Sequence, residues 1–181
     1  MNIPTESELA KAIETAARAA IQQLFDNYPE TFYYCSLITT GEAHPPVLVA
    51  WSHEALDRAV ARSGNPKERQ MLEWSYADSP YCCFGERLFE MVNKLLSLRP
   101  HINHLMTTKE WRDEYEVRIR AMETAMATLN AEGLFGTPPE RNRIVINVEV
   151  MPPDYTNTER ARRLNPPEAI AVWLEEVAEH Q

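Results

Sequence analysis

The fold is decided by residues 125–176, which read AMATLNAEGLFGTPPERNRIVINVEVMPPDYTNTERARRLNPPEAIAVWLEE. This segment predicts the end of a long helix, a stop at Gly133, a strand near 143–150, a loop, and a final helix opened by Asn165. Asn-Pro-Pro-Glu supplies an N-cap, two first-turn prolines and a capping acid. The segment therefore predicts the order of the helices and the strand in this part of the chain. It contains no recognisable set of catalytic residues.

Three segments are predicted to form a small, mainly antiparallel sheet, with strands near residues 31–40, 46–51 and 143–150. The first is rich in aromatic and β-branched residues on both faces, which is typical of a buried strand. About six residues separate it from the second strand, which favours an antiparallel hairpin. The third alternates apolar and polar residues, so we expect Asn147 and Glu149 on a solvated face.

Helical periodicity and capping signals predict helices that cover this sheet. They lie at residues 5–26, 53–62, 85–98, 108–132 and 167–178. Thr5 and Glu8 form a capping box for the first helix, and Thr107 and Glu110 form one for the long fourth helix. We therefore expect one α+β domain over residues 1–181, with the long helix and the C-terminal helix packed on the sheet.

The long helix carries an apolar stripe that is predicted to face the core over roughly five turns. Its members are Trp111, Tyr115, Ile119, Met122, Met126 and Leu129. Residues 152–159, which lie between the third strand and the last helix, are predicted to form a loop.

Composition narrows the class of protein. The 181 residues are 44% hydrophobic and 25% charged, which is ordinary for one globular domain. A net charge of -9 argues against a nucleic-acid partner and favours a basic one. No apolar run approaches the roughly 20 residues of a membrane span, and no signal-peptide pattern opens the chain. Three cysteines, at 35, 82 and 83, suit a reducing compartment, so we expect a cytoplasmic protein.

Several short motifs occur in an order that resembles a known family. They are Trp51-Ser52, Glu73-Trp74 ahead of Tyr81, Phe89-x-x-Val92-Asn93 before Leu95-Leu96, Leu129-x-x-Glu132-Gly133-Leu134-Phe135-Gly136, Arg141 before Ile144-Val145-Ile146, and Arg162-Arg163-Leu164-Asn165-Pro166. Together they resemble a bacterial domain-of-unknown-function family, number 4303 in that series, over nearly the whole chain. The resemblance implies a single-domain protein. Some members lie among genes for interbacterial toxins, so it also points to toxin neutralisation. It carries over no catalytic residue, because none is established for the family.

Candidate catalytic and metal-binding patterns are weak. Cys82, Cys83, His101 and His104 are metal-ligand types, but adjacent cysteines rarely reach one zinc tetrahedron, and zinc sites usually space them as Cys-x2–4-Cys. We therefore expect neither a metal nor a cofactor. Residues 52–54 are serine, histidine and glutamate, yet sequence neighbours cannot align as a hydrolytic triad. The serine is instead expected to cap a helix.

Arg160, Arg162 and Arg163 form the basic cluster of the chain, and two interpretations of it stay open. The arginines could hold a carboxylate or phosphate through bidentate hydrogen bonds. Alternatively, Arg162 and Arg163 could pair with Glu159 and Glu168 around the loop. The first interpretation predicts a deep pocket beside the arginines that contains a titratable residue with a shifted pKa.

The sequence favours a non-enzymatic protein-binding role, specifically an immunity-type inhibitor of a bacterial toxin. The interface is expected in the aromatic segment 74–81 and in the loop 152–159, where aromatic anchors and acidic groups would occlude the partner. The candidate binding residues are Trp74, Tyr76, Tyr81, Asp154, Tyr155, Arg160, Arg162 and Arg163. The alternative is an enzyme or small-ligand module that holds an anionic ligand near Arg160–Arg163. Neither nucleic acid nor a membrane is an expected partner, and the oligomeric state is left open.

Overall fold

A computed structural model describes residues 2–179 of the chain. In this range a three-stranded sheet is enclosed by α-helices and by short 3-10 turns at Pro66–Glu68, Glu86–Phe89 and Glu140–Arg143. The helices are α1 (Glu6–Asn27), α2 (His53–Ser63), α3 (Arg69–Leu72), α4 (Glu90–Ser97), α5 (Thr108–Ala131), α6 (Tyr155–Leu164) and α7 (Pro167–Glu176). The strands are β1 (Phe32–Thr40), β2 (Val47–Ser52) and β3 (Val145–Met151). No helix among the described residues has the length and apolarity that a membrane span requires.

The sheet has the order β2-β1-β3 and is mixed. β1 runs antiparallel to β2, with Cys35 opposite Ala50, and parallel to β3, where Cys35 lies opposite Ile146. The predicted α+β class is confirmed, whereas mainly antiparallel pairing holds only for β1 and β2. The reason is the connection through residues 53–144, because a long helical crossover can return the chain to either end of a sheet.

Both faces of the sheet are buried, so the solvated face predicted for β3 is wrong. Asn147 is 0% exposed and Glu149 is 6% exposed. Inside the protein, the Tyr34 hydroxyl donates a hydrogen bond to Glu149 Oε1 at 2.6 Å. Burial raises the pKa of Glu149, and the hydrogen bond from Tyr34 opposes that rise. The polar residues of β3 are thus matched with internal partners instead of water.

The two longest helices begin as the sequence predicts. Thr5 caps α1 and Thr107 caps α5, each in a complete capping box. The two helices pack on each other, and ion pairs of Glu6 with Arg120 and of Arg18 with Glu132 join them. Gly133 follows α5 with a φ of 82°, the left-handed conformation that favours glycine.

Helix α6 was not predicted, because residues 152–159 were expected to form a loop. Asp154 caps the helix by accepting a hydrogen bond from the Thr156 amide at 2.9 Å. Beyond Tyr155, the apolar residues of α6 are Ala161 and Leu164 alone. Hydrophobic periodicity therefore gives no signal here, and the buried face of the helix is largely polar.

Candidate functional site

The candidate site is a groove of about 470 Å³ between α5 and α6, which we call the α5–α6 groove. Its prominent side chains come from both helices: Trp111, Arg112, Tyr115 and Glu123 from α5, with Arg160 and Arg163 from α6. The sheet positions the groove, because α5 and α6 both pack against β3.

Two asparagines attach α6 to the outer edge of β3. Asn157 Oδ1 accepts from the Val150 amide at 2.8 Å, and its Nδ2 donates to the Val150 carbonyl at 3.0 Å. Asn165 makes the same pair of bonds to Ile146, at 2.9 Å and 2.6 Å. The prediction that Asn165 caps the last helix is therefore wrong, because Pro166 is the N-cap of α7 and the Asn165 amide is used on β3. Each side-chain amide therefore takes the place of a residue on a neighbouring strand, and the edge is closed.

Arg160 lies between these asparagines and is a structural residue. Its Nε donates to the Val148 carbonyl at 2.7 Å, and one of its terminal nitrogens donates to Asn157 Oδ1. The side chain is buried, and burial lowers the pKa of its guanidinium. Arg160 is thus engaged with the β3 edge, and it also borders the groove.

Arg163 crosses the groove to the opposite wall. Its guanidinium donates to both carboxylate oxygens of Glu123 on α5, at 2.5 Å and 3.0 Å. The hydrogen bond with Glu123 raises the pKa of Arg163. The pairing of Arg163 with Glu159 or Glu168 was thus wrong. Arg162 is exposed and does not belong to the groove lining.

The aromatic part of the groove was missed in the sequence. Trp111 and Tyr115 stack with ring centroids 4.9 Å apart and an interplanar angle of 10°. Both side chains are half-buried, and burial raises the pKa of the Tyr115 hydroxyl. The apolar stripe of the long helix had placed both rings in the core. The available signal was the exposed arginine beside them, Arg112, because a charged residue next to Trp111 indicates that this side of α5 meets solvent.

The other candidate residues on α6 lie at its start. Asp154 is exposed and serves as the N-cap, and Tyr155 is 39% exposed. Burial raises the pKa of Tyr115, the nearby charge of Arg160 opposes that rise, and the charge of Asp154 adds to it. Neither Asp154 nor Tyr155 lines the α5–α6 groove, although Thr156, which follows them on α6, does.

The aromatic segment 74–81 lies elsewhere and mainly packs the core. Tyr81 is 3% exposed and donates to Glu30 Oε2 at 2.6 Å, and burial raises its pKa to about 12. Trp74 is half-buried, and its Nε1 donates to Glu176 Oε2 at 2.7 Å. Tyr76 is also half-buried against the core. The structure thus does not bring this segment together with the arginine cluster.

The catalytic and metal-binding candidates are also separated from the groove. Ser52 Oγ accepts from the Ala55 amide at 3.0 Å, so its predicted role as a helix cap is confirmed. Cys82 and Cys83 are free thiols whose sulfurs lie 3.6 Å apart. Within residues 2–179, histidine, cysteine and acidic side chains form no group of three or more that could hold a metal.

Comparison with known proteins identifies the family. The model of a domain-of-unknown-function family, DUF4303, matches residues 13–166. The matched region contains the whole sheet, both walls of the α5–α6 groove, and all but the first seven residues of α1. Neither the curated proteins nor the solved structures give a match. Since the match extends over most of its length, the chain belongs to the DUF4303 family.

Proposed function

We propose that this protein is a non-enzymatic binding protein that docks a protein partner in the α5–α6 groove. The observation that carries the proposal is the stacked pair Trp111 and Tyr115, flanked by Arg112 and Arg163 in one concave surface. Tryptophan, tyrosine and arginine are the residue types that dominate binding energy at protein interfaces. Presenting them from paired helices limits the entropy lost on binding.

The groove is less acidic than the protein as a whole. Four arginines and three glutamates line the groove, whereas the whole chain carries a net charge of -9. The net charge of the whole chain would accelerate the approach of a basic partner, whereas the groove itself would hold the partner through the aromatic pair instead of through charge.

For the identity of the partner, we propose a bacterial toxin that this protein inhibits by occlusion. This finer step rests on the resemblance of the motifs to a family with members near toxin genes, together with the acidic charge. The groove contributes the docking surface that such an inhibitor needs.

Co-expression with toxins encoded beside this gene, followed by pull-down, tests the proposal. We expect a complex and protection of the cells, both lost in the double variant Trp111→Ala/Tyr115→Ala. The matched control is Val172→Ala, because Val172 is an exposed apolar residue of α7, 56% accessible and outside the groove lining. A complex unaffected by the double variant would reject the groove, and failure to bind any of the toxins would reject the proposed partner.

A second candidate function, a module for a small anionic ligand, would use the same groove. Tyr115, with its raised pKa, is the shifted titratable residue that this alternative calls for. However, Arg160 already binds a backbone carbonyl and Arg163 already binds Glu123, so both guanidiniums are engaged. A thermal-shift screen with anionic metabolites separates the two functions, since a ligand bound by the native state alone raises the melting temperature.

A further inference from the structure

A second cluster of arginines lies on a different side of α5 from the groove and encloses a single carboxylate, that of Glu114. Arg99 binds Glu114 through both oxygens, at 2.9 Å and 2.8 Å. Arg118 donates to the same carboxylate at 2.8 Å. The side chains of Arg99, Glu114 and Arg118 are only 9%, 5% and 6% exposed. Two buried guanidiniums thus share one buried carboxylate.

The other hydrogen-bond acceptors around the two arginines are neutral, so they do not balance the second positive charge. Arg118 also donates to the Pro100 carbonyl at 2.7 Å and to the Ala43 carbonyl at 3.3 Å, and Arg99 donates to the Pro4 carbonyl. Carbonyl oxygens are neutral, so one positive charge stays uncompensated where burial makes charge costly. Each terminal nitrogen of Arg118 carries a second N–H beyond these bonds.

A pocket of about 220 Å³ opens onto Arg118, and we call it the Arg118 pocket. Its polar walls are His44 from the β1–β2 turn, Asn93 and Ser97 from α4, and His101 from the loop before α5. Among the described side chains that line it, none is acidic. Several water molecules, at about 30 Å³ each, would otherwise fill this space.

His44 lines the pocket, and its ring is held by a hydrogen bond with Thr40. The Glu42 amide donates to Thr40 Oγ1 at 3.3 Å, and that hydroxyl lies 2.9 Å from His44 Nδ1. In the tautomer in which this hydroxyl donates to Nδ1, the ring proton lies on Nε2, and His44 is then a hydrogen-bond donor. The side-chain amide of Asn93 offers further N–H groups.

The C-terminal end of α4 does not oppose an anion here. The Leu95 and Leu96 carbonyls accept hydrogen bonds from the amides of Leu98 and Arg99, both at 3.1 Å. The partial negative charge at the helix end is thus partly satisfied within the chain.

From this arrangement we propose that the Arg118 pocket binds a small tetrahedral oxyanion of the phosphate type. The buried excess of positive charge supplies the attraction, and hydrogen-bond donors reach the pocket from a turn, a helix, a loop and the floor. Hydrogen-bond donors that approach from several directions suit a tetrahedral group. A planar carboxylate is instead bound by a single guanidinium through two parallel hydrogen bonds. The site is independent of the partner docked in the α5–α6 groove.

Isothermal titration calorimetry of the full chain with inorganic phosphate, at ionic strength held constant with sodium chloride, tests this proposal. We expect saturable binding, with NMR amide shifts concentrated in residues 41–46, 93–98 and 99–106. The double variant His44→Ala/His101→Ala should bind phosphate at least about tenfold more weakly. Both histidines are exposed, so the variant is expected to fold.

The matched control is His104→Ala, which removes an exposed histidine of the same loop that does not line the pocket. It should bind phosphate as the unmodified protein does. Acetate should bind more weakly than phosphate. Absence of saturable binding, equal losses in the control and the double variant, or acetate affinity equal to that of phosphate would each overturn the proposal.

Discussion

The Asn165 side chain makes four hydrogen bonds, two of which hold the outer edge of β3. Its amide bonds both backbone groups of Ile146, accepts from Arg141 and donates to the Ala161 carbonyl. In Asn165→Ala, both Ile146 groups lose their partner in a buried site, at about 1–3 kcal/mol for each. We therefore expect urea denaturation to show a loss of about 3 kcal/mol. Arg162→Ala, an exposed neighbour on α6, is the control and should change stability by less than about 0.5 kcal/mol. Equal losses in the two variants would contradict this role of Asn165.

Glu149 makes stability depend on pH. Burial raises its pKa in the folded protein above the ordinary 4.5. Between the unfolded and folded pKa values, the folded state binds more protons, so a rise in pH lowers the free energy of unfolding. The contribution of Glu149 is thus complete below about pH 4.5 and declines as the pH rises through the folded pKa.

The variant Glu149→Gln removes this titration while it keeps an oxygen for Tyr34. We expect the stability of the unmodified protein relative to the variant to decrease from about pH 4 to pH 8, by about 1.4 kcal/mol for each unit of pKa shift. Denaturation of both proteins across that range gives the measurement. A constant difference, or one that grows with pH, would show that Glu149 is not held in its protonated form.

At the level of elements, the end of α5 depends on the left-handed conformation of Gly133. A Cβ at this position would meet nothing within 4 Å, so a substitution there tests the backbone conformation alone. We expect Gly133→Ala to destabilise the protein by about 1 kcal/mol in thermal denaturation. Gly41 also has free space around it but lacks a positive φ, so Gly41→Ala is the control and should be neutral or slightly stabilising. Similar losses in both variants would contradict the assignment.

Helix α6 explains which parts of the site the sequence could reveal. Capping boxes and the stop at Gly133 are local signals, so α1 and α5 were predicted closely. The buried face of α6 is polar because it forms hydrogen bonds with the edge of β3. Such a face leaves no periodic pattern of apolar residues from which the helix could be predicted. Because α6 was not predicted, the sequence could not show that Arg160 is buried against β3. For the same reason it could not show that Arg163 pairs with Glu123.

For the whole molecule, composition and strand patterns were enough to predict the α+β class and the three strands. They did not predict the direction of β3, because the long connection through residues 53–144 leaves either direction open. The α5–α6 groove exists only after β3 places α6 beside α5. Trp111 and Tyr115 were therefore assigned to the core, although the packing of whole elements leaves them at the surface.

The same packing closes both edges of the sheet. On the β2 side, Ser79 Oγ donates to the Ala50 carbonyl and the Phe84 amide donates to the Leu48 carbonyl. On the β3 side, the amides of Asn165 and Asn157 bind Ile146 and Val150, and the Arg160 guanidinium binds the Val148 carbonyl between them. Open strand edges recruit other chains, so these contacts also limit self-association.

We expect the double variant Asn157→Ala/Asn165→Ala to expose the β3 edge and to associate with itself. Sedimentation velocity should show an average size that rises with concentration more steeply than in the unmodified protein, because α6 no longer competes with an incoming strand. Arg162→Ala keeps both amides and should behave as the unmodified protein does. Circular dichroism at the lowest concentration verifies that helices remain. A folded double variant with unchanged sedimentation would show that α6 does not guard the edge, and a variant unfolded at every concentration would show that the amides are needed for folding instead of for edge protection.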